Sequence, residues 1–134
     1  MEVHVNYLAV LIAAFANYII AYIWYGVVFT KLWSNLTGIT EMKPNPVKII
    51  LVFIGALLMS FVLYHEIVFG DAYTNITGIS GGLMAGFFTW IGFIVPLTLT
   101  GVVYEKRSWR LWFLDIMFWF VSLLIMGMIE SIWI

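Results

Sequence analysis

The sequence contains no cysteine, only three prolines and very little charge: Asp, Glu, Lys and Arg make up 10% of its 134 residues. Without cysteine there is no disulfide, no thiolate metal site, no iron–sulfur cluster and no thiol redox chemistry. A net charge of −1 supplies neither a basic face for nucleic acid nor a general attraction for acidic substrates. No Walker loop, nucleophile elbow, HExxH motif or haem-attachment pattern is present. These absences point away from an enzyme and imply no cofactor and no bound metal. What fills the space is apolar: 64% of the residues are hydrophobic and the mean hydropathy is +1.07. A soluble domain is usually about half apolar and about a quarter charged, so this composition belongs in a bilayer.

Four apolar stretches, at about 7–29, 47–69, 81–104 and 111–133, are long enough to cross a hydrocarbon core of about 30 Å at about 1.5 Å per residue. The expectation is an all-α membrane protein, one integral domain over 1–134, with connections at 30–46, 70–80 and 105–110. "AFA" at 14–16 resembles a signal-peptide cleavage site, but "MEVHVNY" before it carries no Lys or Arg for a positive leader, so the first stretch reads as a mature helix.

All six basic residues cluster in two places: Lys31, Lys43 and Lys48 around the first connection, and Lys106, Arg107 and Arg110 in the third. Because cytoplasmic flanks collect Lys and Arg, loops 30–46 and 105–110 are expected in the cytoplasm of a plasma (inner) membrane protein, with both termini outside. The near-repeat of "GVVFTKLW" at 26–33 and "GVVYEKRSW" at 101–109 then falls at the cytoplasmic ends of helices one and three. Two parallel hairpins related by a pseudo-twofold along the membrane normal would produce it. So would the ordinary habit of ending a span with aromatic and Lys anchors. A second echo, "NLTGIT" at 35–40 and "NITGIS" at 75–80, lies on opposite sides by the charge count, so it reads as two convergent turns. Both match the N-glycosylation pattern, with only Asn75 expected to face outward.

Apolar helices in lipid associate through small residues and interhelical hydrogen bonds. Helix one carries Ala9, Ala13, Asn17 and Ala21 at four-residue spacing, and helix three carries Gly82, Gly86, Gly92 and Pro96. These two helices are expected to make the tightest contacts, with Pro96 bending helix three because it cannot donate to the Gly92 carbonyl. Four short helices bury little of their own surface, so the lipid bilayer and either a homo-oligomer or membrane-complex partners are the expected surroundings; no nucleic acid is implied.

Ionisable groups inside a bilayer cost about 2.5 to 3.5 kcal/mol, which makes each one a candidate site. Asp115, with Ser122 on the same face and Asn17 opposite as its hydrogen-bonding partner, could bind a cation or relay a proton. The plainer reading is that Asp115 complements the helix start and pairs with Arg107 or Arg110, while Asn17 joins helices. On the outer side His65, Glu66 and Glu130, with His4 and Asp71, form a scattered set near the interface, where charge is cheap. Adjacent positions such as His65 and Glu66 point about 100° apart, so a shared metal is not expected.

"WYG" at 24–26, "FTKLW" at 29–33, "WIGF" at 90–93, "YEKR" at 104–107 and "LLIMG" at 123–127 together resemble the small four-span membrane proteins of domain-of-unknown-function family seventeen-sixty-one. The resemblance implies four helices and an uncharacterised role, and it carries no catalytic residues. Small multidrug exporters are similar in length but depend on a Glu in their first helix, where this chain has Asn17. Two readings remain: a self-associating channel or carrier for a small solute or ion, and a non-catalytic small subunit stabilising a larger membrane complex.

Overall fold

A computed structural model describes residues 2–40, 43 and 45–134. Helix α1 (Tyr7–Ile23) runs into a π-helical turn (Trp24–Val28), followed by a short α2 (Thr30–Thr37). Helix α3 (Pro46–Thr74) is next, then α4 (Ile79–Thr89), a second π turn (Trp90–Ile94), α5 (Val95–Tyr104) and α6 (Trp109–Ile132). Among the described residues there is no strand. Four continuous helical stretches, Tyr7–Val28, Pro46–Thr74, Ile79–Tyr104 and Trp109–Ile132, are long and apolar enough to cross a membrane. The second outruns the expected 47–69 by more than a turn. The first connection is not all loop, because its first eight residues form α2. Glu41, Met42 and Pro44 of that connection lie outside the described residues.

Local chemistry sets the ends. Asn6 caps α1 by accepting from the Leu8 and Ala9 amides, and Asn45 caps α3 by accepting from Val47, with Pro46 at the first helical position, where its missing N–H costs nothing. Ser108 caps α6 by accepting from Arg110 and Leu111. Asn75 closes α3 at a left-handed φ of 59°, and Lys106 at φ 56° turns the chain tightly from α5 to α6.

Helix α6 is the organiser. It packs against α1 on one side and α4 on the other, and α3 lies against all three. Helices α1 and α4 are therefore not each other's main neighbours, which corrects the expectation that helices one and three make the tightest pair. The small residues of α4 face α6 instead. A Cβ on Gly82 would run into the Gly127 carbonyl, one on Gly127 would run into the Gly82 carbonyl, and one on Gly86 would stand 2.6 Å from the Leu123 carbonyl. Ala9 and Ala13 are fully buried, beside α3 and in the common core respectively. Ala21 is half-buried.

Gly92 and Pro96 are both exposed, and nothing lies within 4 Å of where a Cβ on Gly92 would stand, so neither serves as a packing position. The disturbance expected at Pro96 takes the form of the second π turn. With no N–H at Pro96 to close an ordinary turn, the Val95 amide reaches back five residues to the Trp90 carbonyl. The two copies of the repeated word differ in backbone: Gly26 sits exposed in a π turn, whereas Gly101 is buried in α5 against Arg107.

Candidate functional site

Three polar contacts lie on the inner faces of α6, spaced seven and eight residues apart at Asp115, Ser122 and Glu130. Such spacing returns to one face of a helix after two turns. Because α1 runs antiparallel to α6, the three positions face successive levels of the Tyr7–Val28 stretch, Glu130 by way of Ser60 on α3. The Tyr25 hydroxyl donates to Asp115 Oδ1 at 2.6 Å. The Ser122 hydroxyl donates to Asn17 Oδ1 at 2.6 Å, with Met126 Sδ at 3.7 Å. Glu130 Oε1 is hydrogen-bonded to Ser60 Oγ of α3, which also reaches the Val10 carbonyl of α1 at 2.8 Å.

Asn17 is thus not the partner of Asp115. Two helical turns separate Ser122 from Asp115, about 10 Å along the axis, and antiparallel packing brings Tyr25 level with the carboxylate. Asp115 also takes the expected ion pair, with Arg107 Nη2 at 3.4 Å from Oδ2. Its two oxygens therefore face a hydroxyl and a guanidinium.

The π turn at the end of α1 makes this end possible. Closing the turn through Phe29 N to Trp24 O at 2.9 Å inserts one residue into the helical register. Tyr25 then lies against Phe118, with ring centroids 5.3 Å apart, and Trp24 lies 6.4 Å from the same ring. The second π turn approaches the same part of α6: Trp90 Nε1 donates to the Ile116 carbonyl at 2.7 Å and its ring stands 4.8 Å from Phe120. Sequence reading missed both π turns and the role of Tyr25. The available signal was the shared Trp-x-Gly of "WYG" and "WIG".

A cleft of about 430 Å³ opens beside the first two contacts, lined by Asn17, Tyr18, Tyr22, Tyr25, Trp33 and Val52 among others. Asn17 and Tyr25 thus border both the seam between α1 and α6 and an accessible space.

The outer candidates stay apart. His65 Nδ1 is 2.8 Å from the Phe61 carbonyl on its own helix, and its ring lies tilted against that of Phe61, with centroids 4.5 Å apart. Glu66 accepts from the Thr89 hydroxyl of α4. His4 pairs only loosely with Glu2, at 4.0 Å, with both side chains in the open. No three His, Asp or Glu side chains converge on a metal-sized site among the described residues. Glu130 departs most from expectation. Near the end of its helix in sequence, it is nevertheless 0% exposed, because α1 and α3 cover that end of α6.

Fold and site together define a small all-helical protein with four membrane-length helices and a polar seam through an apolar bundle. The chain belongs to the family described as Protein of unknown function (DUF1761), whose family model matches residues 8–130. No curated protein and no solved structure matches it.

Proposed function

We propose that this is a non-enzymatic, multi-pass plasma (inner) membrane protein that self-associates and binds or passes a small solute or ion along the α1–α6 seam. The observation that carries the reading is the placement of Asp115, Ser122 and Glu130, each joined to α1 or α3, at three levels of one helix. Packing alone would be served by apolar side chains, and ionisable groups in membrane helices mark pathways and ligand sites far more often than lipid-facing surface does. Entry is from the cleft bordered by Asn17 and Tyr25, on the side of the Lys- and Arg-rich connections, which the charge distribution assigns to the cytoplasm.

The test is flux in proteoliposomes, comparing the wild-type protein with Asp115→Asn, Tyr25→Phe and Asn17→Leu. Loss of ion or solute flux in these variants, with the purified proteins still folded, supports the reading. Wild-type flux no greater than that of empty liposomes for protons, alkali cations and small organic cations alike would overturn it.

The alternative is a non-catalytic small subunit of a larger membrane complex. It draws on Gly55 and Gly92, which face outward with no atom within 4 Å of where an added methyl group would stand, small-residue sites that the chain itself does not fill. Native mass spectrometry of protein extracted gently from its host membrane separates the two. A discrete homo-oligomer favours the carrier, and fixed-stoichiometry partners favour the subunit.

A further inference from the structure

Ser60 Oγ stands between two acceptors. On one side is the Val10 main-chain carbonyl at 2.8 Å, and on the other is Oε1 of Glu130. A serine hydroxyl has one hydrogen to give and lone pairs to receive with, whereas a carbonyl can only receive. If Ser60 gives its hydrogen to Val10, the link to Glu130 survives only when Glu130 supplies a hydrogen of its own. If Ser60 gives it to Glu130, the approach to Val10 becomes two acceptors facing each other.

The remaining surroundings choose between these states. Glu130 is fully buried and its Oε2 has no hydrogen-bond partner. The ion pairs among the described residues are Arg107 with Asp115 and His4 with Glu2, neither of which reaches it. On α3, Tyr64 directs its hydroxyl to the His4 carbonyl and Glu66 is taken by Thr89. Asp71 of α3 lies against Gly81 of α4, and the buried α1 side chains packed beside Tyr64, Ala9 and Val10, are apolar. An ionised carboxylate there would be a buried charge with a single donor, whereas a neutral acid leaves one carbonyl oxygen unpaired, a far smaller cost.

We infer that Glu130 is a proton-binding site, a neutral carboxylic acid that donates to Ser60 Oγ, which in turn donates to the Val10 carbonyl and so ties α6 to α1 through α3. When the proton leaves, the single Ser60 hydrogen must turn to the carboxylate, and the tie to α1 is given up. Binding of one proton is thereby linked to one interhelical contact. The inference stands on hydrogen-bond geometry and not on transport, so an absence of flux leaves it intact.

Infrared difference spectroscopy of the protein in lipid near neutral pH tests it. The expected result is a carbonyl band of a protonated carboxylic acid that shifts when glutamate carboxyl carbons are labelled with carbon-13. It should be absent in Glu130→Gln, retained in Glu66→Gln, and moved to higher frequency in Ser60→Ala, where the acid loses its acceptor. Labelled wild-type protein showing only carboxylate bands from glutamate would overturn the assignment, and needs no variant to fold. A band unmoved in Ser60→Ala would overturn the proposed hydrogen-bond chain.

Discussion

Toward α4, helix α6 presents Gly127 and the Leu123 carbonyl, and α4 answers with Gly82 and Gly86, so that main chain meets main chain with no side chain between. Toward α1 and α3 the same helix presents Asp115, Ser122 and Glu130, and each meets a hydroxyl or an amide, with a guanidinium added at Asp115. The first interface gains from contact area and dispersion, the terms that join helices in lipid when no hydrophobic drive is left. The second is held by directional bonds that a small shift would break. The same helix thus uses both of the ways in which membrane helices associate, close main-chain approach on one side and polar contacts on the other.

The comparison breaks most visibly at the glycines. Gly127→Leu or Gly82→Leu forces α4 and α6 apart, because the added side chain would occupy the space of a facing carbonyl. The expected loss is at or above the upper end of the usual overpacking cost, about 3 kcal/mol. Unfolding in mixed detergent micelles measures it, and wild-type stability in either variant would show that the close approach is not a feature of the folded protein. On the polar side Ser122→Ala leaves Asn17 Oδ1 without its donor. The expected loss is smaller, about 0.6 kcal/mol, the average for hydrogen bonds between membrane helices, and no more than about 1.7 kcal/mol, the largest found. Ser122→Ala paired with Asn17→Leu in a double-mutant cycle isolates that term, and a coupling of zero would mean that the contact does not form.

Much of this contrast is legible in the sequence, and the exceptions have a common cause. The four helices follow from apolar length, and the pairing of Asp115 with Arg107 follows from nearness along the chain. The small residues on α4 are visible as a stripe but their partner is not, since a glycine stripe says that something comes close and not which helix does so. The same ignorance of neighbours hides Tyr25, which looks like one more interfacial anchor until a π turn aims it at Asp115. Glu130 escapes sequence reading because distance from a helix end is no measure of depth. Burial there is set by α1 and α3, which are far away in sequence.

The smallest expected effects sharpen the comparison further. Tyr25→Phe removes one hydroxyl from a carboxylate that keeps Arg107, and the carboxylate is only partly covered, with a side-chain exposure of 22%. Water can replace the lost donor, so the stability change should stay near or below about 1 kcal/mol, while the cleft beside Asn17 loses the group joining it to Asp115. Indole and tyrosine fluorescence during chemical unfolding reads the first effect and proteoliposome flux the second. Gly92→Ala goes lower still. The position is exposed, nothing stands within 4 Å of the new methyl group, and its φ is not among the left-handed ones, so a change within about 0.5 kcal/mol is expected. Agreement between the Gly92 variant and wild type, set beside collapse of the Gly82 variant on the same membrane-length stretch, would establish that close approach to α6 gives glycine its value here. Equal damage from both would mean that Gly92 meets a partner outside the monomer, which in the purified protein is a second copy of this chain.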